Sequence, residues 1–345
     1  MKTQTFLPEN VRCGRRLSVF LLTFAAMNAP IQYHTVSFRP SAAGRGSVAT
    51  VGMFDGVHRG HQFVVAQVCR RAHELGLAAA VVTFGRPPRQ VLQPGWHPRL
   101  LCTPDEKLRL LGQAGADCCH VLHFDRATAA LPARRFMQWL HTDLGVELLL
   151  TGYDNRFGHG RDETFADYAR YGRELGMGVE CLPPAPAVAG LPAVSSSLVR
   201  QLLADGLAEE AARALGRRYS IEGTVVRGQH IGTGLGFPTA NLQPACADQL
   251  IPAAGAYAVT ASAEGIDEPL RGMMNIGTRP TFGPHAVTIE VHLFHFHHDI
   301  YGRRLRVELA ARLRGEQRFS SPQALALQLR ADAAAAENIL NNQQP

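Results

Sequence analysis

Two histidines three residues apart, with glycines on either side, form the first group in the sequence that could do chemistry. His58 and His61 lie in VGMFDGVHRGHQ, residues 51–62, directly after an apolar run. A glycine turn lets the backbone approach a ligand closely, and the free N–H groups of a following helix favour phosphate. The imidazoles could then stabilise the charge that grows as pyrophosphate leaves, which is nucleotidyl transfer without a protein nucleophile. The alternative is a glycine turn with two solvated histidines.

A second group, RGQHIGTGLGFPTANL at residues 227–242, combines glycines with hard oxygen ligands. Its four glycines would let a loop wrap phosphates with backbone amides: Gly228, Gly232, Gly234 and Gly236. Thr239 and Asn241 offer oxygens of the kind that Mg²⁺ prefers. The segment is neither a Walker A loop nor a Rossmann fingerprint, because neither GK[ST] nor a long helix follows. Without its PTAN end, a glycine-rich turn between strands would be the simpler interpretation.

A metal site is one hypothesis for the histidine-rich stretch HLFHFHHD, residues 292–299. Strand alternation puts His295 and His297 on one face and His292 and His298 on the other, so the four side chains do not converge. We therefore expect a surface strand and turn here.

The elements that must position the first group alternate between strands and helices from Ser47 onwards. Five apolar runs are predicted strands of a parallel sheet: SVATVGMF, AAAVVTF, CHVLHF, VELLLTG and VECLPP. Between these runs, apolar residues recur at helical spacing and predict helices. In TPDEKLRLLGQAG, Thr103 is the expected N-cap and Glu106 its capping-box partner. SSSLVRQLLADG is predicted to be a serine-capped helix that ends at Gly206. The pattern is that of an α/β domain.

The character of the chain changes near residue 216. Five short strands between Gly/Pro turns predict a small antiparallel barrel: YSIEGTVVRG, AYAVTAS, RGMMNIGT, VTIEVHLFHF and LRVELAARL. A closing helix is expected in SPQALALQLRADAAAAENIL, with Ser321 as its cap and Pro322 at its first position. The expected divisions are an N-terminal extension at 1–46, a first domain at 47–206, a linker at 207–216 and a second domain at 217–341.

Composition narrows the class of protein. The chain has 345 residues, which is long for one core and favours two domains. Its formal charge of +6 suits anionic partners, but the basic residues are spread along the chain, so we do not expect nucleic-acid binding. Seven cysteines, an odd number with no CxxC pair, indicate free thiols in a reducing cytoplasm.

The predicted N-terminal extension allows two interpretations. VRCGRRLSVFLLTFAAMNA places Arg15 and Arg16 before a short apolar run, as in a secretory or twin-arginine signal. However, no clean A-x-A site follows, and a run of about ten apolar residues is too short to span a membrane. We favour the alternative that the natural chain starts at Met27.

The first group resembles the GxFDGxHxGH motif in the adenylyltransferase half of bacterial bifunctional riboflavin kinase/FMN adenylyltransferases, also called FAD synthetases. That motif is a variant of the HxGH motif of nucleotidyltransferases. TGYDNRFGHGR is similar to the family's flavin segment, and VSSSLVRQLL to its ISSTxIR segment, although SSSLVR alone would predict only a helix cap. The resemblance implies catalytic roles for His58 and His61. It implies ATP or phosphate binding by Gly52, Phe54, Asp55, Gly60, Ser195, Ser196 and Arg200, and flavin binding by Asp154 and Phe157.

The second group resembles the GxxxGxxxGFPTAN motif of riboflavin kinases. Further segments follow in the family's order: GAYAV, NIGTRPTFG, IEVHLFHF, DIYGRRLRVEL and RLRGEQRF. Glu290 matches the family's catalytic glutamate, and a carboxylate is a suitable general base for the 5′-hydroxyl of riboflavin. From strand alternation alone, Glu290 could equally be a solvated, outward-facing residue. The resemblance implies phosphate binding by the four glycines and Mg²⁺ binding by Thr239 and Asn241.

The resemblance runs from about residue 47 to 340 and implies one chain with two activities. The C-terminal barrel would phosphorylate riboflavin with ATP to give FMN. The N-terminal Rossmann-like α/β domain of the HxGH type would adenylylate FMN with a second ATP to give FAD and pyrophosphate. Both steps would need Mg²⁺. The expected partners are these small molecules, in a cytoplasmic monomer or weak oligomer without membrane or nucleic-acid partners.

Several positions differ from the family's pattern. The chain has TFGRPP at 83–88 where the family shows TFxPHP, Asn155 where phenylalanine is usual, and Ser197 and Leu198 within the serine segment. One alternative is therefore a riboflavin kinase with a weakened or inactive adenylyltransferase module. A second alternative, from another class, is a flavin- or nucleotide-sensing regulator without turnover. The intact PTAN segment and Glu290 argue against the second.

Overall fold

The structure, a computed structural model, describes residues 19–20, 31–39, 46–152, 156–159, 162–228, 231–234, 236–278 and 287–342. The chain divides into two compact units. The first comprises Met1–Gly52, Gln67–Pro88 and Gly112–Leu182, and the second Met53–Ala66, Arg89–Leu111 and Pro183–Pro345. The histidine motif from Met53 onwards therefore belongs to the same unit as the C-terminal half of the chain. Met27 and the Arg15–Arg16 pair lie outside the described residues.

The first unit is built on one seven-stranded sheet. Its strands are β1 (Val19–Phe20), β2 (Tyr33–Ser37), β3 (Ser47–Val51), β4 (Ala78–Phe84), β5 (Cys118–Leu122), β6 (Val146–Gly152) and β7 (Gly178–Leu182). They lie in the order β1-β2-β5-β4-β3-β6-β7, and β5, β4, β3, β6 and β7 are parallel. All five predicted strands are confirmed, and β3 is buried along its whole length, as a strand covered on both faces should be.

Two strands come from the segment that we expected to be an extension. β2 pairs antiparallel with β5, from Tyr33 opposite Leu122 to Ser37 opposite Cys118, and β1 pairs with β2. The segment therefore supplies an antiparallel edge to an otherwise parallel sheet. The sequence gives little sign of this strand, because YHTVS is short and lacks a continuous apolar run.

The strand order reverses between β3 and β6, the first and fourth of the parallel strands along the chain. In open α/β sheets, ligands bind outside the carboxyl ends of the strands at such a point. The carboxyl ends here are Val51 and Gly152. Gly52 N continues the sheet by donating to Val82 O at 3.0 Å. The histidine motif and the predicted flavin segment thus follow the two strands that flank the reversal.

Ten helices occur in the described residues, apart from the 3₁₀ turn at Asp55–Val57. They are α1 (Arg59–Leu75), α2 (Pro88–Leu92), α3 (Pro104–Gln113), α4 (Arg126–Ala129), α5 (Ala133–Leu144), α6 (Phe165–Leu175), α7 (Ser196–Ala204), α8 (Ala208–Leu215), α9 (Ile231–Gly234) and α10 (Pro322–Asn342). Three predicted caps are confirmed, since Thr103, Ser195 and Ser321 each accept a bond from a backbone N–H three residues on. The carboxylate of Glu106 does not serve the predicted capping box: it accepts from Ser220 Oγ and Arg306 Nη2, each at 2.8 Å.

The second unit contains a closed barrel of antiparallel strands. These are β8 (Ser220–Val226), β9 (Ala240–Pro244), β10 (Gly255–Ala263), β11 (Leu270–Thr278), β12 (Val287–Leu293) and β13 (Arg304–Gly315), in the order β10-β11-β12-β9-β8-β13. The predicted fold class is confirmed, but the barrel has six strands rather than five. We missed β9 because it begins inside the PTAN segment, where proline and glycine conceal the strand pattern.

The closing helix α10 is also confirmed and is fixed to the barrel by an ion pair. Asp332 is buried, and Arg314 donates to it from Nε at 3.1 Å and from Nη2 at 2.7 Å. Around this pair, Ala336 and Leu340 of the helix pack in one apolar cluster with Met273 of β11. A paired and hydrogen-bonded carboxylate avoids the large cost of burying a lone charge.

The stretch that we expected to be a linker forms α8, and it is part of the core. Ala211, Ala214 and Leu215 are fully buried in the same apolar cluster as Tyr219 and Ile221, at the start of the barrel. Helix α7 contributes Val199 and Leu203 to this cluster. The segment therefore packs as part of the second unit.

Burial of His120 in the first unit gives an acid-sensitive contribution to stability. Burial lowers the pKa of His120 to about 4. The folded ring therefore stays neutral, whereas the unfolded ring gains a proton below about pH 6.5. This contribution is intact above that pH and is lost as the pH falls towards 4, which costs about 2 kcal/mol at pH 5.

We expect His120→Gln to reduce the acid-induced loss of unfolding free energy by about 2 kcal/mol between pH 7.5 and pH 5. Urea unfolding would be followed in a Trp96→Phe background, where Trp139 alone reports on the first unit. His123→Gln, at an exposed position, is the matched control and should leave the loss unchanged. An unaltered loss in His120→Gln would contradict the prediction.

Candidate functional site

The turn after β3 has an unusual backbone. Phe54, Gly56 and Val57 have φ angles of 52°, 77° and 39°, all in the left-handed region. Glycine adopts this region freely, whereas a β-branched residue there costs on the order of 1–3 kcal/mol and persists only when its surroundings hold it. The turn ends at His58, and α1 begins at the next residue. The position of the two histidines therefore depends on a backbone conformation that contacts with surrounding residues must stabilise.

Asp55 is the buried centre of this turn. Its Oδ1 accepts from Leu101 N at 2.9 Å, and its Oδ2 accepts from Arg200 Nη2 at 2.5 Å. Its carbonyl oxygen accepts from Ser196 Oγ at 3.0 Å. Burial raises the pKa of Asp55, and the charge of Arg200 together with these bonds opposes the rise. Three residues of the predicted phosphate-binding set thus meet, and the Asp55 carboxylate is engaged by protein groups.

The serine segment holds the start of α7 against this turn. Ser195 Oγ accepts from Leu198 N at 3.2 Å, which makes it the N-cap of the helix. Arg200, one turn further on, also donates from Nε to Arg99 O at 3.0 Å, and 30% of its side chain remains exposed. Part of the guanidinium therefore stays open to an anion while the rest supports the protein.

His58 and His61 lie face to face. Their ring centroids are 3.7 Å apart with an interplanar angle of 20°, and Phe54 packs edge-on against His61 at 5.0 Å. A Cβ at Gly60 would come within 3.2 Å of the His58 ring, so the glycine allows this packing. The structure therefore brings Phe54, Gly60 and both predicted catalytic histidines together.

Both imidazoles are neutral at pH 7. Burial, followed by the charges of Arg200 and Arg217, lowers the pKa of His58 to about 4. Burial also lowers the pKa of His61, with His58 and Lys107 adding to the effect. His58 Nδ1 accepts from His61 N at 3.4 Å, which leaves its proton on Nε2 as a donor. The histidines can thus donate hydrogen bonds to phosphate oxygens, while nearby arginines carry the positive charge.

Three further residues hold the same turn and were not identified from the sequence. Arg217 Nη1 donates to Gly56 O at 2.8 Å, and Cys102 Sγ accepts from Gly56 N at 3.2 Å. Gln62 Nε2 donates to Val57 O at 2.8 Å. Arg217 lies 161 residues from Gly56 in the chain, so no local spacing could have revealed it.

In the predicted flavin segment, the structure describes Phe157 but neither Asp154 nor Asn155. Phe157 is buried, and its ring stacks on Tyr168 with centroids 4.3 Å apart. A small cavity of about 80 Å³ lies beside Tyr168 and is lined by Gly152, Arg156 and Glu163. Glu163 Oε2 is buried and has no hydrogen-bond partner among the described residues. Phe157 therefore does not line this polar cavity but packs against Tyr168, which does.

In the barrel, Glu290 of β12 lies between two asparagines. It is directly opposite Asn241 of β9 and Asn275 of β11. Its neighbours Ile289 and Val291 are buried in the barrel core, so Glu290 is on the outer face. Directly opposite residues of antiparallel strands share a face, with Cβ atoms about 5 Å apart. One carboxylate and two amides therefore form a row across three strands.

The glycine loop comes close to this row. A Cβ on Gly228 would overlap the Asn241 side chain, and a Cβ on Gly232 would overlap the Phe237 carbonyl. Gly236 has a φ of 83°, which other residues rarely adopt. Gly234 borders open space. Close approach or conformation thus explains three of the four predicted phosphate-binding glycines, and Gly228 meets the predicted metal ligand Asn241.

Beside the predicted metal ligand Thr239 lies a cavity of about 270 Å³. Val225, Val291 and Leu293 line it with apolar surface, and His297 and Tyr301 also border it. Its size and mixed lining suit a planar heterocycle with a polar edge.

The histidine-rich stretch does not continue β12. The strand ends at Leu293, and His295 has a φ of 53° within a turn. The expected surface strand and turn is therefore confirmed. The alternation of faces assumed for His295 and His297 is wrong, because the chain has left the strand. Within the parts of the chain that the structure describes, no group of three or more His, Cys, Asp or Glu side chains could hold a metal ion.

Comparisons of sequence give consistent matches for both halves. A profile of the FAD synthetase family matches residues 41–197, and a profile of the riboflavin kinase family matches residues 215–340. The chain is 36% identical over 313 residues to the bifunctional riboflavin kinase/FMN adenylyltransferase of Escherichia coli K12, covering 90% of this chain and 97% of that protein. It is 40% identical over 294 residues to the protein of the same name from Pseudomonas fluorescens, covering 85% and 92%.

The fold is also similar to a solved structure from Streptococcus pneumoniae that is described as a macrolide-efflux protein. The TM-score is 0.79 and the identity 30%, over 88% of this chain and 97% of that one. The description as an efflux protein applies to that protein alone. In the described ranges of this chain, no helix is both long enough and apolar enough to cross a membrane.

The ion pair between Asp55 and Arg200 should contribute to the free energy of unfolding. Arg200→Met should lower the free energy of unfolding by about 3 kcal/mol, because it leaves a buried carboxylate without its counter-charge. The double variant Asp55→Asn with Arg200→Met should recover part of that loss, since no unpaired charge remains. Urea unfolding in a Trp139→Phe background, where Trp96 reports on the second unit, measures Arg200→Met, the single variant Asp55→Asn and the double variant. Strictly additive effects would show that the two residues are not coupled.

Proposed function

The chain belongs to the family of bifunctional riboflavin kinases/FMN adenylyltransferases, and we propose how its residues divide between the two reactions. It phosphorylates riboflavin with ATP to give FMN, and it adenylylates FMN with ATP to give FAD and pyrophosphate. The observation that carries the division is that Glu290 lies within β12 of the barrel, whereas the histidine pair follows β3 of the seven-stranded sheet.

In the kinase reaction, Glu290 acts as the general base. Its carboxylate accepts the proton of the riboflavin 5′-hydroxyl as that oxygen attacks the γ-phosphorus, and ADP leaves with the bridging oxygen. The register supports this role, because Asn241 and Asn275 flank the carboxylate with amides that can orient it and the substrate hydroxyl. The amides of the loop from Gly228 to Gly236 would bind the ATP phosphates.

Thr239 and Asn241 would hold Mg²⁺ for this step. Their hydroxyl and amide oxygens are hard donors, and Mg²⁺ is commonly held by few protein ligands together with substrate phosphates. The close approach of Gly228 to Asn241, which a Cβ would block, supports the fit. When bound, the ion neutralises charge on the phosphates of ATP. The cavity beside Thr239 would take the adenine ring, with Tyr301 at its edge.

In the adenylyltransferase reaction, a phosphate oxygen of FMN attacks the α-phosphorus of ATP, and pyrophosphate leaves. His58 donates from Nε2 to the phosphates as charge moves onto the leaving group, and His61 holds the His58 ring by stacking on it. Gly52, Phe54 and Gly60 shape the backbone for close approach. Arg200 meets a phosphate with its exposed edge, while Asp55, Ser195 and Ser196 keep its helix in place.

Flavin binding in this reaction falls to the segment after β6. Asp154 is proposed from its motif position alone. Phe157 would act indirectly, because it is buried behind Tyr168, which lines the cavity there.

We also propose a cytoplasmic monomer or weak oligomer without nucleic-acid partners. The six cysteines within the described ranges are all free thiols, as a reducing compartment allows.

A chromatographic assay of the purified protein tests both activities. The protein would be supplied with riboflavin, ATP and Mg²⁺, and separately with FMN in place of riboflavin. We expect FMN and then FAD to form. Supplied FMN that never becomes FAD would favour a kinase with an inactive adenylyltransferase module. If neither product forms, the sensing alternative gains support, and a salt-sensitive mobility shift with nucleic acid would support it further.

Two substitutions should separate the reactions. Glu290→Gln should lower the riboflavin kinase rate by about 10²-fold or more, because it removes the base, and should leave FMN adenylylation within about two-fold. His58→Asn should lower adenylylation by about 10²-fold and leave the kinase rate unchanged. Both rates would be measured on the same samples. The exposed residues Glu268 and His97 supply matched controls as Glu268→Gln and His97→Asn. A parallel fall of both rates in either variant would contradict the division.

A further inference from the structure

Arg217 is a partly buried cation that the proposed reactions do not use. It lies directly before β8, the first strand of the barrel, and its Nη1 donates to the carbonyl of Gly56 at 2.8 Å. Its Nε is buried and has no hydrogen-bond partner among the described residues. A guanidinium that is partly withdrawn from water, with an unpartnered buried Nε and one bond to a backbone carbonyl, is costly unless that carbonyl needs to be held.

The carbonyl that Arg217 contacts lies in the strained turn. Gly56 and Val57 both have left-handed φ angles, and His58 follows at once. The contact on Gly56 O limits rotation of the Gly56–Val57 peptide, which would otherwise let Val57 relax to an ordinary conformation. Such a relaxation would turn the backbone that carries His58. The bond to Gly56 O thus connects Arg217 to His58 through the main chain.

The barrel in turn keeps Arg217 in place. Glu106 of α3 is buried and attracts the Arg217 charge. The Glu106 carboxylate accepts from Ser220 Oγ of β8 and from Arg306 Nη2 of β13, each at 2.8 Å. Arg306 is further paired with Glu308 at 3.2 Å. All of these residues belong to the second unit, together with the histidine motif. Hydrogen bonds and an ion pair thus join two barrel strands to Glu106, and the charge of Glu106 attracts Arg217 beside the turn.

We propose that Arg217 is a positioning residue for adenylyl transfer, through which the riboflavin kinase barrel fixes the backbone of the histidine motif. The inference rests on the adenylyltransferase activity stated above. It makes the geometry of one reaction depend on residues that lie in the sequence segment of the other. The charge of Arg217 has a second effect in the same direction, because it helps to keep His58 neutral and its Nε2 proton available to phosphate.

The test uses the full-length chain, in which the kinase reaction serves as an internal measure of folding. Arg217→Ala should lower kcat for FMN adenylylation by about 10- to 100-fold, since a displacement of about 1 Å in a catalytic group has effects of this size. KM for ATP should change by less than about three-fold, because Arg217 makes no substrate contact, and the riboflavin kinase rate should stay within about two-fold of the parent. Arg217→Lys should recover part of kcat, because lysine keeps the charge and one donor.

Arg218→Ala is the matched control. The neighbouring Arg218 donates to Thr260 Oγ1 of β10 at 3.2 Å rather than to the turn. Its removal should leave both rates unchanged. Unfolding followed by Trp96 emission would be measured for every variant, so that a folding defect is seen directly.

Three results would overturn the inference. Adenylylation in Arg217→Ala at the parent rate would show that the contact does not matter for the reaction. An equal fall of kinase and adenylylation rates, with Arg217→Lys no better than Arg217→Ala, would show a general structural role. A rise in KM for ATP without a fall in kcat would place Arg217 in substrate binding. A parent protein that makes FMN but no FAD would instead refute the adenylyltransferase activity, and it is recognised before any variant is compared.

Discussion

The ion pair between Asp55 and Arg200 closes the turn that carries the two histidines. Asp55 also accepts from the backbone of Leu101 and, through its carbonyl, from Ser196. Two separate segments of sequence, around Leu101 and at the start of α7, therefore converge on one buried residue. Without these partners, a turn with Val57 in the left-handed region would have no reason to persist. The placement of the histidine motif thus depends on tertiary contacts more than on its own sequence.

The charges around this turn are divided in a way that the residue types alone do not suggest. Histidines near phosphate are easily imagined as cations, but burial keeps His58 and His61 neutral. Arg200 and Arg217 carry the positive charge instead. The neutral His58 ring contributes direction, because its Nε2 is a defined donor, whereas the arginines contribute a positive electrostatic potential. Separating the two tasks lets each group be packed for one purpose.

The local sequence pattern was sufficient to predict the elements that are stabilised by contacts between residues close together in the chain. The parallel strands β3 to β7 are continuous apolar runs, and Thr103, Ser195 and Ser321 cap their helices through contacts three residues away. β2 and β9 were missed because their apolar signal is weak or is concealed by proline and glycine. α8 is the opposite case, since AEEAARAL has good helix formers, yet its position between two predicted domains suggested a linker.

For the candidate site, the sequence identified the groups that touch each other within a motif but not those that arrive from elsewhere. The histidine pair, the serine cap, Glu290 and Asn241 follow from spacing and resemblance, whereas Asn275 was found only from the strand register. Glu106 was expected to cap its own helix, but distant partners, Ser220 and Arg306, engage its carboxylate. Arg217 was not predicted as a site residue for the same reason, because its partner Gly56 is 161 residues away in the chain. Contacts between residues far apart in sequence depend on the final packing, which no local pattern encodes.

The burial of α8 has a consequence for how the chain unfolds. Its alanines and Leu215 share one apolar cluster with α7 and with the barrel strands, so these elements cannot separate without exposing that surface to water. Cooperative units in proteins follow such continuous packing rather than the borders of catalytic modules. Helix α7 carries the serine segment of the adenylyltransferase motifs, yet its opening, like that of α8, is coupled to the melting of the kinase barrel. A disturbance that loosens the barrel would therefore also release the helix that holds Arg200.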